Sequence, residues 1–275
     1  LNAKLIHEDE KIFFILCMVI SLLTYFFLII SLVGIIYLVI GFLITFILHG
    51  FSIAQIHNNG IKLSEKQFPH TYHQAKHLSS ELDLELPDIY IVQSGGLLNA
   101  FATRFFGRHF VVLYSDVVEM IEDNQEKELS FIIAHELVHI KRKHTLYHSL
   151  ILPALWISFF GKVYSRACEY TCDRIASIMI GDAKTSAQAL TLLAFGKCLN
   201  KKVNQDEFIH THSQEKVFFM WLNQVTSTHP PIAHRIKEIN YLAHSIRNYL
   251  ISILTHFKQA KLHKWKKALT CQGFI

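Results

Sequence analysis

From Ile12 to Leu48 the chain runs for 37 residues without a charged side chain, apolar throughout but for scattered Ser, Thr, Tyr and Gly. As one helix this run would be about 55 Å long, against a hydrocarbon core of about 30 Å. Two spans of about 18 residues fit better. The pattern therefore predicts a transmembrane hairpin with its turn near Ser31 to Gly34. A secretory signal would have a shorter apolar region ending in a small-residue cleavage site, which this run lacks.

Beyond the run, the periodicity changes. Ser64 to Leu82 reads as a helix interrupted early by Pro69, and Leu86-Pro87 ends it. Asp88 to Gln93 and His109 to Tyr114 are β-branched and aromatic runs bounded by turn residues, hence strands. Between them lies the punctuation Ser94-Gly95-Gly96, followed by Leu97 to Phe106. A helix is then predicted from near Asp123, which would cap it with Glu126 three residues later. Its core stripe is Leu129, Ile133, Leu137 and Ile140. Leu150 to Phe160 is apolar but too short to span a bilayer, and reads as a buried or interfacial connector. Helices follow over Ser165 to Ile180 and Thr185 to Leu199. An aromatic-rich segment, Phe208 to Leu222, leads to Pro230-Pro231, which open a last helix to about Ser245. The expectation is a mainly α fold with a small β-sheet (α+β). It divides into a membrane anchor of two transmembrane helices over 1–60, a compact domain over 61–246 and a tail over 247–275.

Composition supports the membrane reading: 51% of residues are hydrophobic and the mean hydropathy is +0.26. The net charge of +5 is uneven. Arg247, Lys258, Lys261, Lys264, Lys266 and Lys267 lie in the tail with no acid among them. Leu250, Ile253, Leu254, Phe257, Trp265 and Leu269 alternate with them. Such a basic amphipathic segment suits an anionic bilayer surface, or is simply a solvated terminal helix. Nucleic acid is not an expected partner, because no recognised binding fold accompanies the charge. Lys4 and Lys11 precede the hairpin and Lys62 and Lys66 follow it, while its turn carries no charge. The positive-inside rule then predicts a multi-pass protein of the cell (inner) membrane with its domain facing the cytoplasm. Cys17, Cys168, Cys172, Cys198 and Cys271 make an odd count without C-x-x-C, which suggests reduced thiols.

The chemistry is carried by His135-Glu136-Leu137-Val138-His139. On a helix, residues i and i+4 share a face, so both imidazoles can bind one metal with Glu136 beside the activated water. With 18 histidines in the chain, an H-E-x-x-H arises by chance in about 6% of shuffled sequences, so context has to decide. Catalytic zinc takes three protein ligands. The best third candidate is Glu169 in S-R-A-C-E-Y-T-C-D, with Asp173 one turn further on. One carboxylate can bind the metal while the other fixes the site, although an E-x-x-x-D pair is often just an exposed acidic face. The apolar surroundings favour burial. His144 and His148 continue the four-to-five-residue spacing, but Lys141-Arg142-Lys143 points to an exposed helix end. Cys168 and Cys172 read as small buried hydrophobes.

H-E-L-V-H, then S-R-A-C-E-Y-T-C-D, preceded by Asn99-Ala100-Phe101 and followed by T-H-P-P-x-x-x-R-I, resembles the HtpX-like and CAAX prenyl protease family of membrane-associated gluzincin metalloproteases. The resemblance covers roughly Pro87 to Ile239, four motifs in the family's order. It implies a zincin-like domain and one Zn2+ per subunit held by His135, His139 and Glu169, with Glu136 as general base. Asn99 and His229 would contact the substrate or stabilise the tetrahedral intermediate, and Asp173 and Arg235 would support the site. The chain departs from HtpX-type proteins in holding only residues 140 to 168 where they place a second hydrophobic hairpin. It also has His234 before Arg235 and Cys172 before Asp173. The leading function is a membrane-anchored zinc endopeptidase acting on membrane or misfolded proteins. A zinc hydrolase of a non-peptide bond and a non-catalytic membrane-protein adaptor are the other classes.

Overall fold

The computed structural model describes residues 5–93, 99–119, 125–157, 159–200, 202–214 and 218–248. The predicted hairpin is present as α1 (Glu8–Ile30) and α2 (Leu32–Asn59). Its turn is tight. Ser31 caps α2 by accepting a hydrogen bond from the Gly34 N–H at 3.3 Å. A Cβ at Gly34 would lie 2.2 Å from the Leu28 carbonyl oxygen, so only glycine allows the two helices to meet there. Most apolar side chains of both helices point outward, as spans surrounded by lipid must.

After β1 (Ile61–Lys62), α3 (Pro69–Glu81) begins at the proline itself. Pro69 thus starts the helix rather than interrupting it, because its missing N–H costs nothing in the first turn. The two predicted strands are β2 (Asp88–Val92) and β4 (Arg108–Tyr114). Between them lies β3 (Ala100–Phe105), a strand the sequence pattern left unassigned. The sheet order is β1-β2-β4-β3, with β2 and β4 parallel and both outer strands antiparallel to their neighbours. β3 is therefore an edge.

The short α4 (Ser115–Val118) leads toward the motif helix α5 (Glu126–Lys141). That helix starts after Gln125, so Glu126 is its first residue and not the third as a capping box at Asp123 requires; Asp123 itself lies outside the described residues. The stripe Leu129, Ile133, Leu137 and Ile140 is buried, and so are Phe131, Ile132, Ala134 and Val138. A helix apolar nearly all round belongs in the middle of a domain. Here α5 packs against α3, the sheet, α8 (Phe159–Ile180) and α9 (Ala183–Asn200).

The connector forms α6 (His144–Leu150) and α7 (Leu152–Ile157). The aromatic-rich segment forms α10 (Gln205–Gln214) and α11 (Phe218–Thr226), and the last helix, α12, covers 232–248. Of the basic tail, residues 249–275 lie outside the described residues. The hairpin is no loose tether, because α1 lies along α8 and α7. Phe14 meets the rings of Tyr147 and Tyr164, and Cys17 is packed with Ile151, Ala154, Tyr164 and Cys168.

Candidate metal centre and active-site cleft

Four elements and one loop converge on a cleft of about 510 Å³. α5 contributes His135, Glu136 and His139, α8 contributes Glu169, and α12 contributes Arg235. Asn99, leading into β3, and His229, between α11 and α12, also line it. Asp173 is fully buried behind Glu169, one turn along α8. All eight residues singled out in the sequence therefore fall at one place.

The donor atoms are arranged for a cation. His135 Nε2 and His139 Nε2 are 3.2 Å apart. Each lies 3.4 Å from a carboxylate oxygen of Glu169. Metal–nitrogen bonds of about 2.0–2.1 Å at tetrahedral angles put ligand atoms about 3.3 Å from one another. This triangle has that size. Two ring nitrogens facing each other with both lone pairs inward repel unless a positive charge lies between them.

Electrostatics points the same way. Burial opposes a charged imidazole at His135, but hydrogen bonds to Asp173 and Glu169 outweigh it and raise its pKa to about 10. Burial also works against a charged Glu169, yet Arg235 and the two histidines hold it well below the usual carboxylate range. Two imidazoles and a carboxylate make a mixed nitrogen and oxygen donor set of the kind zinc takes. The residues present fit a divalent metal of the zinc type.

Each metal-facing histidine is held from behind. His135 Nδ1 lies 3.0 Å from Asp173 Oδ1. Asp173 is gripped in turn by Arg235, whose Nε and Nη2 donate to its two oxygens at 2.7 Å each. Arg235 Nη1 also reaches Glu169 Oε2 at 3.2 Å. One arginine thus aligns both carboxylates, a planar fork doing what a lysine could not. Removing it would leave two buried carboxylates facing each other. Arg235→Leu is expected to cost about 3–5 kcal/mol, seen as a drop of about 10 °C in the melting temperature of the detergent-solubilised protein. An unchanged melting temperature would mean that the pair contributes nothing.

His139 Nδ1 meets His144 Nδ1 at 3.1 Å, and His144 Nε2 meets Glu10 Oε1 at 3.2 Å. One set of tautomers satisfies every contact: His139 Nδ1–H donates to His144, whose Nε2–H donates to Glu10. Burial, partly opposed by Glu10, pushes His144 down to about 4, so it is neutral as this chain requires. Glu10 also accepts from Arg142 Nε at 3.2 Å and from the Thr171 hydroxyl. α5 does end at Lys141 and Lys143 is exposed, but the histidine that follows is not part of an exposed end. His144 is 1% exposed, because the first turn of α1 covers it.

Sequence reasoning missed Glu10, Arg142 and His144. A carboxylate beside a long apolar run was the available signal for Glu10, since an acid there is costly unless it is paired. It also missed Arg166, whose Nη1 donates to the carbonyls of Gln224, Val225 and Ser227 at 2.9, 3.1 and 2.8 Å. That clamp caps α11 and fixes the loop bearing His229. His229 is exposed, with Nε2 3.7 Å from Glu169 Oε1. Asn99 is exposed as well, its side-chain oxygen accepting from the Ala100 N–H. Cys172 also lies near the two histidines, but it is sealed beneath His144 with its Sγ 3.7 Å from Nδ1. Burial pushes its thiol well above the ordinary range. It and Cys168 are both fully buried, as small hydrophobes are.

Comparison with known proteins fits this geometry. A family model described as "Peptidase family M48" matches residues 65–161 and 147–243, together well over half of the chain. A curated protein named Protease HtpX homolog from Bifidobacterium longum is 24% identical, aligned with 80% of this chain and 86% of its own length. A second of that name, from Thermodesulfovibrio yellowstonii, is 24% identical over 66% of this chain and 78% of its own. The Plastoglobule-localized metallopeptidase 48 of Arabidopsis thaliana is 30% identical over 46% of this chain, which spans 41% of that protein's length.

Proposed function

The chain belongs to peptidase family M48 and is a membrane-associated metallopeptidase, and we propose that it is a zinc-dependent endopeptidase cleaving membrane or misfolded proteins at the cytoplasmic face of the membrane. The observation that carries this reading is the convergence of His135 Nε2 and His139 Nε2, 3.2 Å apart and each 3.4 Å from a different carboxylate oxygen of Glu169, beside Glu136 in an open cleft. We further propose that residues 1–60 serve as the membrane anchor, 61–246 as the peptidase domain and 247–275 as a basic tail on the bilayer surface.

His135, His139 and Glu169 would hold the zinc, which when bound lowers the pKa of a water toward neutrality and polarises a carbonyl. Glu136, beside these ligands in the cleft, would act as the general base that takes up a proton and returns it to the departing amine. His229 and Asn99 reach the substrate from the two sides of the cleft, placed to donate to the developing oxyanion. Asp173 and Arg235 keep His135 and Glu169 oriented. Asn99, Ala100, Phe101 and Ala102 line the cleft along edge strand β3, so an extended peptide can add to the sheet there by main-chain hydrogen bonds. The uncharged hairpin turn and the lysines at both ends of the anchor support the cytoplasmic placement.

The test is cleavage of a membrane-inserted reporter by the reconstituted full chain. Chelation should abolish cleavage and added Zn2+ should restore it, with products cut inside the reporter by mass spectrometry. Cleavage that survives complete removal of metal would overturn the zinc reading, and trimming from one terminus alone would overturn the endopeptidase reading.

A further inference from the structure

Residues 150–156 pack beside the middle of the apolar run of α1. The apolar run of α1 extends from Ile12 to Ile30, and Ser21 is its midpoint, with about 14 Å of helix on either side. For a helix whose apolar run crosses the hydrocarbon core, the middle of that run falls near the bilayer centre. The Ala154 N–H at the start of α7 donates to Ser21 Oγ at 3.3 Å, and both residues are buried. The turn from α6 into α7 is thus level with the middle of the apolar run of α1.

Several backbone donors of the turn are satisfied within the protein. In lipid, every N–H must find a partner within the protein. Ile151 donates to the Tyr147 carbonyl at 3.0 Å and Leu155 to the Ile151 carbonyl at 3.1 Å. Pro153 has no N–H to satisfy, and Ser21 receives the one from Ala154. A Cβ on Gly161 would lie 2.6 Å from the Leu155 Cα, so glycine there lets α7 close against α8. The inner face, Ile151 and Ala154, packs on α1. The outer face, Leu150, Leu152, Trp156, Phe159 and Phe160, is exposed, with Trp156 85% so.

The opposite wall of the cleft meets the other membrane helix. The turn after β3 sets Phe105 and Phe106 against Phe46 of α2, with ring centroids 5.9 and 5.6 Å away. Phe46 belongs to the same uncharged run. Phe106 is 79% exposed beside it. Leu155 and Trp156 on one side, and β3 on the other, line the cleft that holds Glu136.

We propose that residues 150–156, with Phe159 and Phe160, form a re-entrant wedge, covered by lipid acyl chains on its outer face, and that the cleft between wedge and β3 opens sideways into the bilayer. The continuity of this face with α1 identifies lipid as the occupant. The substrate class follows, resting on the protease reading above: a peptide segment entering from the membrane rather than from water.

The test uses the full chain with Trp221→Phe and Trp265→Phe, leaving Trp156 as its one tryptophan. It is reconstituted into phosphatidylcholine vesicles with acyl chains brominated either near the headgroup or deep in the chain. Deep bromines should quench Trp156 fluorescence at least twofold and more than shallow ones, while aqueous iodide has little effect. Quenching by iodide but not bromines would place the face in water, and quenching by neither would place protein over it. Stronger quenching by shallow bromines would remove the mid-bilayer turn. Any of these results overturns the wedge. A Phe106→Trp chain lacking the other tryptophans repeats the test at the second wall, where bromine quenching is again expected and its absence removes the sideways opening. Metal-dependent cleavage without quenching would leave the protease reading intact and remove the wedge, and quenching without cleavage would do the reverse.

Discussion

Replacing Glu136 by Gln is expected to leave the metal content unchanged while cutting peptide hydrolysis by about 10²–10⁴-fold. Gln keeps the shape of the side chain and loses the carboxylate that accepts a proton. The histidines flanking it in the motif hold the metal position through Asp173 on one side and His144 on the other, and neither contact involves Glu136. Cleavage of a membrane-inserted reporter measures the first quantity and elemental analysis of the same preparation measures the second. Equal rates for wild type and variant would sink the assignment of Glu136 as base. Loss of metal would show instead that Glu136 is needed to hold it.

Glu169→Ala is expected to empty the site. It removes one corner of the donor triangle and leaves two histidines, one short of the three ligands a catalytic zinc takes. The loss of affinity should exceed the roughly 10–100-fold typical when a supporting partner of a ligand is removed. Asp173→Asn, which changes such a partner behind His135, provides that comparison in the same chain. Competition with a coloured chelator reads both affinities. The order wild type, Asp173→Asn, Glu169→Ala is expected, and equal affinities for the last two would mean that Glu169 is not a ligand.

Local chemistry made much of this site legible in the sequence. H-E-x-x-H needs only helical spacing to put two imidazoles on one face, and Glu169 and Asp173 need only the same spacing on α8. The hairpin was legible because 37 uncharged residues have few other solutions. Two kinds of feature escaped. Edge strand β3 has no clean alternation, since Ala100, Phe101, Ala102 and Thr103 are all half-buried in succession and only Arg104 is exposed. Its pairing with β4 supplies the reason for its shape, and pairing is not written in the strand alone. The support behind His139 escaped for another reason. Glu10 and His144 are 134 residues apart, and only the docking of α1 on the domain brings them together. For the same reason His144, just after that charged run, looked like part of an exposed helix end: the carboxylate that pairs with it comes from far away in the chain.

The short α6–α7 turn had a length that was legible in the sequence and a placement beside α1 that was not. Its level along α1 followed from a single contact, Ala154 to Ser21. The Ser21 hydroxyl reads in sequence as a tolerated polar residue in a span. In the structure it satisfies a backbone donor that lipid could not.

The claim that matters most is that zinc sits between His135, His139 and Glu169 and not on the buried thiols nearby. Zinc K-edge X-ray absorption on the purified full chain tests it directly. Nitrogen and oxygen scatterers alone at about 2.0–2.1 Å, with imidazole outer-shell features, are the predicted result. A sulfur shell at about 2.3 Å would contradict it and move the metal to Cys172.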